Sequence, residues 1–155
     1  VALLPIVQHP DARLRAVCAP VTQFDAALAD LARDMLETMY AAPGRGLAGP
    51  QVGELSRLFV MDTDWKTGTP APMVIVNPRL LGVSDERVMI EEGCLSIPGV
   101  PCPVERPMAL RLGWQWPDGT TEEADFDGIP ARVILHEMDH LVGILCIDRV
   151  AAPVA

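Results

Sequence analysis

The sequence has no close CxxC pair, no run of Lys or Arg, no apolar stretch as long as a bilayer span, and no repeat or low-complexity segment. Each absence removes a class of protein. The four cysteines, Cys18, Cys94, Cys102 and Cys146, lie 76, 8 and 44 residues apart, too few and too scattered for a secreted disulfide scaffold, which points to a reducing compartment. A net charge of -9 leaves no basic field for phosphates, so direct nucleic-acid binding is not expected. The opening segment, Val1 to Val7, is apolar but lacks a basic leader and is broken by Pro5, which speaks against a signal or membrane segment. The expectation is a cytoplasmic protein with no membrane partner. Because the sequence starts at Val1 and not at Met, a trimmed leader stays open.

What is present supports one compact unit. A chain of 155 residues with 50% apolar content buries roughly 68–70% of its unfolded surface as a single domain, taken here as 1–155. Fifteen prolines are about twice the usual ~5% share, so elements should be short and turns many. Asp25 is placed to cap a helix whose apolar stripe, Leu28, Leu31, Met35 and Met39, runs to about Tyr40 before Pro43 and Gly44 stop it. A loop from Gly44 to Gly53 follows. Segments 57–61, 73–76 and 87–90 read as strands, and the alternation of Met108, Leu110, Leu112, Trp114 and Trp116 leads through Pro117-Asp-Gly-Thr120 into a second hairpin strand, 121–126. A second helix should start near Pro130 and stop at Gly143, with 144–147 as a last short strand.

That second helix contains His136-Glu137-Met138-Asp139-His140, an HExxH motif. Four residues turn a helix by roughly 400°, so both imidazoles stack on one face, spaced to clamp one ion, and Glu137 reaches water beside it. Two surface histidines on an amphipathic helix would give the same letters. The flanking Val133, Ile134, Leu135, Leu141 and Val142 argue for a buried helix, where unpartnered polar groups would each cost a few kcal/mol unless a metal relieved them. Downstream, only Asp148 is a candidate third ligand. Upstream, Glu91-Glu-Gly-Cys-Leu-Ser-Ile-Pro98 sets Cys94 between glycine and proline breaks that can aim a thiolate inward, and Cys94 is the better choice. Two imidazoles and a thiolate leave a coordination position for water, the mark of a catalytic site.

Three segments together, Gly44-Arg-Gly-Leu-Ala-Gly-Pro-Gln51, Glu92-Gly-Cys-Leu-Ser96 and His136-Glu-Met-Asp-His140, resemble the peptide deformylases in order and spacing. The stretches His9 to Arg15 and Met39 to Pro43 are similar as well, so the likeness covers nearly the whole chain. It implies an α+β fold with mostly antiparallel sheets packed around a central C-terminal helix carrying HExxH, and one N-terminal helix. It also implies hydrolysis of the formyl group from formyl-methionyl nascent peptides, releasing formate, in transient proximity to the ribosome. Carried over by position, Cys94, His136 and His140 would hold one divalent metal and Glu137 would move protons. Gln51 and the backbone N–H of Leu95 would stabilise the oxyanion, and main-chain groups of Arg45, Gly46 and Gly93 would hold the peptide as an added strand. The family points to Fe(II), whereas donor softness alone predicts strong Zn(II) binding.

Four positions depart from the family pattern. Gly49 stands where Ala is usual, which should loosen the loop bearing Gln51; Leu135 replaces Gln, Cys146 replaces an aromatic, and Arg45 replaces a small aliphatic. Three rival readings remain. Gly44-Arg-Gly-Leu-Ala-Gly49 spells GxGxxG with Asp64 downstream, but a helix precedes it where a nucleotide fingerprint needs a strand. Cys102 could complete a closed structural zinc site, leaving Glu137 without a task. The same fold and metal could also serve a different acyl substrate.

Overall fold

A computed structural model describes residues 3–150. The first helix, α1 (Ala26–Ala41), is capped by Asp25, whose carboxylate accepts the Leu28 amide at 3.0 Å. Seven strands follow in chain order: β1 (Gly46–Ala48), β2 (Leu58–Met61), β3 (Met73–Val83), β4 (Arg87–Cys94), β5 (Ile97–Pro107), β6 (Ala109–Gln115) and β7 (Thr121–Asp127). The second helix, α2 (Gly128–His140), comes last. One sheet has the order β1-β2-β3-β6-β7 and the other is the β4-β5 hairpin, with every ladder antiparallel. The class is α+β. No helix among the described residues is long and apolar enough to cross a membrane.

The larger sheet is buried on both faces near β2, which is why Leu58-Phe-Val-Met61 reads as a continuous apolar run and not an alternating one. Leu58, Val60 and Val76 join Leu28, Met35 and Met39 of α1 on one side. Phe59, Met61 and Ile75 join Ala131, Ile134 and Leu135 of α2 on the other, where the alternating Leu110, Leu112 and Trp114 of β6 complete the cluster.

Three sequence expectations need correction. The supposed loop after Gly44 contains β1 and a 3-10 turn, Gly49–Val52, because β1 pairs through its backbone with β2. The segment 144–147 is not a strand: a 3-10 turn, Cys146–Asp148, forms there, with the Asp148 carboxylate accepting the Leu145 amide at 2.9 Å. Gly49 does not loosen its loop. It is buried, and a Cβ built on it would stand 2.6 Å from the Glu54 carbonyl oxygen and 2.9 Å from that of Ser56.

Asn77 fastens the N-terminal segment to the sheet. At φ 49° it occupies the left-handed region beside the bulge in β3, its carboxamide accepting from the Val21 amide and donating to the Val21 carbonyl and Gln115 Oε1. Asn is among the few non-glycine residues that enter this region readily. Asn77→Ala therefore loses three hydrogen bonds and is expected to lower unfolding free energy by about 1–3 kcal/mol in urea titration. A midpoint equal to that of the unsubstituted protein would contradict this.

Candidate metal centre

The hairpin and the second helix bring three donors to one point. Cys94 is the last residue of β4 before the tight Leu95-Ser96 turn and faces Ile97 across it. Its sulfur lies 3.5 Å from His140 Nε2. The His136 and His140 rings, one helical turn apart, have centroids separated by 5.0 Å. Ligand atoms of all three side chains lie within 4.8 Å of one another. A tetrahedral ion with bonds of about 2.3 Å to sulfur and about 2.05 Å to nitrogen holds those donors about 3.6 Å apart, so the spacing fits a divalent metal.

Glu92 orients the first imidazole. One carboxylate oxygen lies 2.9 Å from His136 Nδ1, and both accept from Arg106, at 2.6 and 2.9 Å. Arg132 of α2 adds a contact at 2.7 Å and also donates to the Val104 and Val88 carbonyls of the hairpin. Arg106 reaches on to Asp139 at 2.9 Å, which Arg149 holds from the other side. Glu92, Arg106 and Asp139 are all buried. The sequence reasoning left Glu92 without a role, and the signal available was its place two residues before Cys94 on the same face of a strand.

Burial shapes the proton affinities. Glu137 is buried, one carboxylate oxygen has no hydrogen-bond partner, and desolvation pushes its carboxyl up to about 7. Desolvation, helped by the charges of His136 and Arg106, lowers His140 to about 3. At His136 burial opposes charge, but Glu137, Cys94 and Glu92 outweigh it and raise the pKa. Surroundings that favour a proton on that ring favour any cation beside it, which agrees with the donor set. Glu92, although desolvated, is held well below the carboxylate range by Arg106, His136 and Arg132.

Other expected site residues converge on the same place. Arg45, Gly46, Gln51, Gly93, Cys94, Leu95, His136 and Glu137 line one cleft of about 970 Å³. His140 lies buried behind it. Gln51 is fixed by the Ala48 amide, which donates to its Oε1 at 2.9 Å, so its NH2 faces Ser96 Oγ at 3.1 Å and Cys94 Sγ at 3.6 Å. Gly46 leaves room for Glu137: a Cβ there would stand 2.6 Å from one of its carboxylate oxygens. Cys102 is not in the donor group and contacts Cys146, and Asp148 pairs with Arg15. The GxGxxG reading fails on context, since α1 precedes the segment and β1 lies within it.

Removing one partner of a buried ion pair strands the other. Arg106→Ala leaves Glu92 and Asp139 short of a counter-charge and is expected to cost about 3–5 kcal/mol and to weaken metal retention. Urea titration and metal analysis after dialysis check it; no change in either would remove the pairing from the account.

Comparison with known proteins agrees with this geometry. A family model described as polypeptide deformylase matches residues 3–154. The peptide deformylase of Mesorhizobium japonicum is 46% identical over 147 residues, covering 95% of this chain and 84% of that protein. The crystal structure of peptide deformylase from Thermotoga maritima superposes with a TM-score of 0.93 at 39% identity, covering 98% of this chain and 100% of that one. The class I type b enzyme of Acinetobacter baumannii with Met-Ala-Ser bound has a TM-score of 0.89 at 33% identity, covering 96% and 99%. This chain therefore belongs to the polypeptide deformylase family, metal-dependent hydrolases that remove the N-formyl group from nascent peptides.

Proposed function

We propose that residues 1–155 act as one deformylase unit in which α2 is the central helix, Cys94, His136 and His140 hold the divalent ion, and Glu137 carries protons. The observation that supports this most directly is the buried Glu137 carboxylate, one oxygen of which has no hydrogen-bond partner, beside three convergent donors. Held by these three side chains, a divalent ion would supply Lewis-acid chemistry to a water and to the formyl oxygen. Glu137, poised near 7 by burial, takes a proton from the attacking water and delivers it to the amine nitrogen as the C–N bond breaks. In this reading Gln51 and the Leu95 amide, both on the cleft lining, donate to the developing oxyanion, and such donors are worth about 2.7–4 kcal/mol each. Main-chain groups of Arg45, Gly46 and Gly93 line the cleft as a strand-like docking edge for the peptide. Met-Ala-Ser, bound by the A. baumannii relative, is what formate release from formyl-Met-Ala-Ser would leave. We also propose that this chain works in the cytoplasm, transiently near the ribosome, where a nascent substrate would be met.

Formate release from formyl-Met-Ala-Ser by metal-loaded protein should fall about 10²–10⁴-fold in Glu137→Gln, with metal content retained. Equal rates would remove Glu137 as the proton carrier. We further propose Fe(II) as the working metal, with Zn(II) also bound. Anaerobic rates on forms of known metal content should favour iron, and a zinc form as fast would overturn this.

Arg45 and Lys66 both line the cleft, and both are exposed. The Arg45 segment is tied to the turn that precedes Lys66: the Asp62 amide donates to the Arg45 carbonyl at 3.0 Å, and Trp65 Nε1 to the Gly44 carbonyl at 2.9 Å. Selectivity for apolar residues after the methionine should therefore be weakened. In a panel of formyl-Met peptides, Glu at that position should be cleaved at least as well as Leu at low salt, and a strong Leu preference would contradict it.

A further inference from the structure

Cys102 and Cys146 are 44 residues apart in the sequence, yet their sulfur atoms stand 2.9 Å from each other. Both are buried in the apolar cluster of Val7, Leu14, Ile97, Val104 and Leu145. Among the described residues, the only other polar contact of the Cys102 sulfur is a long one, 3.8 Å to the Val100 carbonyl. A disulfide needs about 2.05 Å between sulfurs, so the pair must close by only roughly 0.9 Å. Neither thiol belongs to the Cys94, His136, His140 group.

We propose that Cys102 and Cys146 form a reversible disulfide, made by exchange with a low-molecular-weight disulfide, which ties the hairpin carrying Cys94 to the turn that follows α2. One protein thiolate attacks a sulfur of the small disulfide, expelling a small thiol and leaving a mixed disulfide. The second protein thiolate attacks the protein sulfur of that mixed disulfide and expels the other small thiol. Two protein thiols are oxidised, one small disulfide is reduced to two thiols, and the two protons released from the protein pass to them.

Access comes through the turn. Cys146 opens the short 3-10 segment Cys146–Asp148, which is docked by Arg15 on Asp148 and on the Gly143 carbonyl, and by Arg149 on Asp139. These arginines are partly solvated, so the turn is the most readily released side of the pair. Cys102, within β5 and paired in register with Glu92, stays in place as the resolving thiol. Once made, the bond would hold the turn after α2 to β5, whose partner strand β4 carries the Glu92 that lies against His136. The bond would resist any parting of the hairpin from the helix, so metal loss by that route would slow.

The experiment uses the metal-loaded full chain, incubated with oxidised glutathione and then mapped by mass spectrometry after alkylation in denaturant. The expected product keeps two of the four free thiols, has lost the mass of two hydrogens, and gives fragment ions that link Cys102 to Cys146 with Cys94 alkylated. Dithiothreitol should restore all four. The oxidised form should release metal to a chelator several-fold more slowly, and Arg15→Ala, which frees the turn, should speed bond formation several-fold. Cys102→Ser and Cys146→Ala should each abolish the link; should they fail to fold, the map of the unsubstituted chain still decides. Four free thiols after oxidation, a link through Cys94, or glutathione retained on Cys146 would overturn the proposal. An unchanged rate in Arg15→Ala would overturn the route through the turn.

Discussion

The carboxylate of Glu92 sits at the centre of the polar ties that fix how the β4-β5 hairpin meets α2. It sits on β4, accepts Arg106 from β5, and reaches across to Arg132 and His136 on α2. Asp139 repeats the bridge from the helix side through Arg106 and Arg149. A buried ion network of this kind adds little net stability, since desolvating the charges costs about what their attraction returns. Apolar side chains could dock the hairpin as firmly. They could not fix the rotation of an imidazole about its own axis, and the 3.5 Å between Cys94 Sγ and His140 Nε2 depends on hairpin and helix keeping one register. The network is better understood as a geometric constraint than as a source of stability.

Glu92 and Glu137 show how environment divides the work of two buried carboxylates. Arg106, His136 and Arg132 hold Glu92 ionised despite its burial, whereas desolvation raises Glu137 to about 7 with no cation in hydrogen-bond contact. The first can therefore act only as a fixed anion. The second can both accept and donate a proton near neutral pH, which hydrolysis of an amide requires. Gly46 belongs to the same division, because a side chain there would press on the Glu137 carboxylate.

Much of this was legible in the sequence, for reasons that are local. The cap at Asp25, the stripe of α1, the alternation along β6 and the four-residue histidine spacing are periodic signals carried by a few adjacent residues. The misses are non-local. β5 contains Pro98, Pro101, Pro103 and Pro107 and so reads as a loop, but in a two-stranded hairpin half the amides face away from the partner and prolines are tolerated there. Residues 144–147 look like a strand, yet no edge is offered to them and Asp148 satisfies the Leu145 amide instead. Glu92 follows Glu91 and resembles part of a solvated acidic pair until the strand's alternation turns one outward and the other in. The Cys102–Cys146 contact has no signature at all at a separation of 44 residues.

The departures from the family pattern fall outside the donor set, and their positions explain how they are accommodated. Leu135 packs with Ile134 and Phe59 against the larger sheet, Cys146 fills the cluster behind the hairpin, and Gly49 lies against backbone carbonyls. Arg45 differs in kind because it is exposed on the rim of the cleft. The chain carries -9 overall, but charges farther than about 8 Å are largely screened at physiological ionic strength, so a ligand in the cleft feels the rim more than the whole. There Arg45 and Lys66 both stand, with Glu91 also on the lining. The buried network fixes the three convergent donors without using the rim, which leaves the rim free to differ in charge without disturbing them.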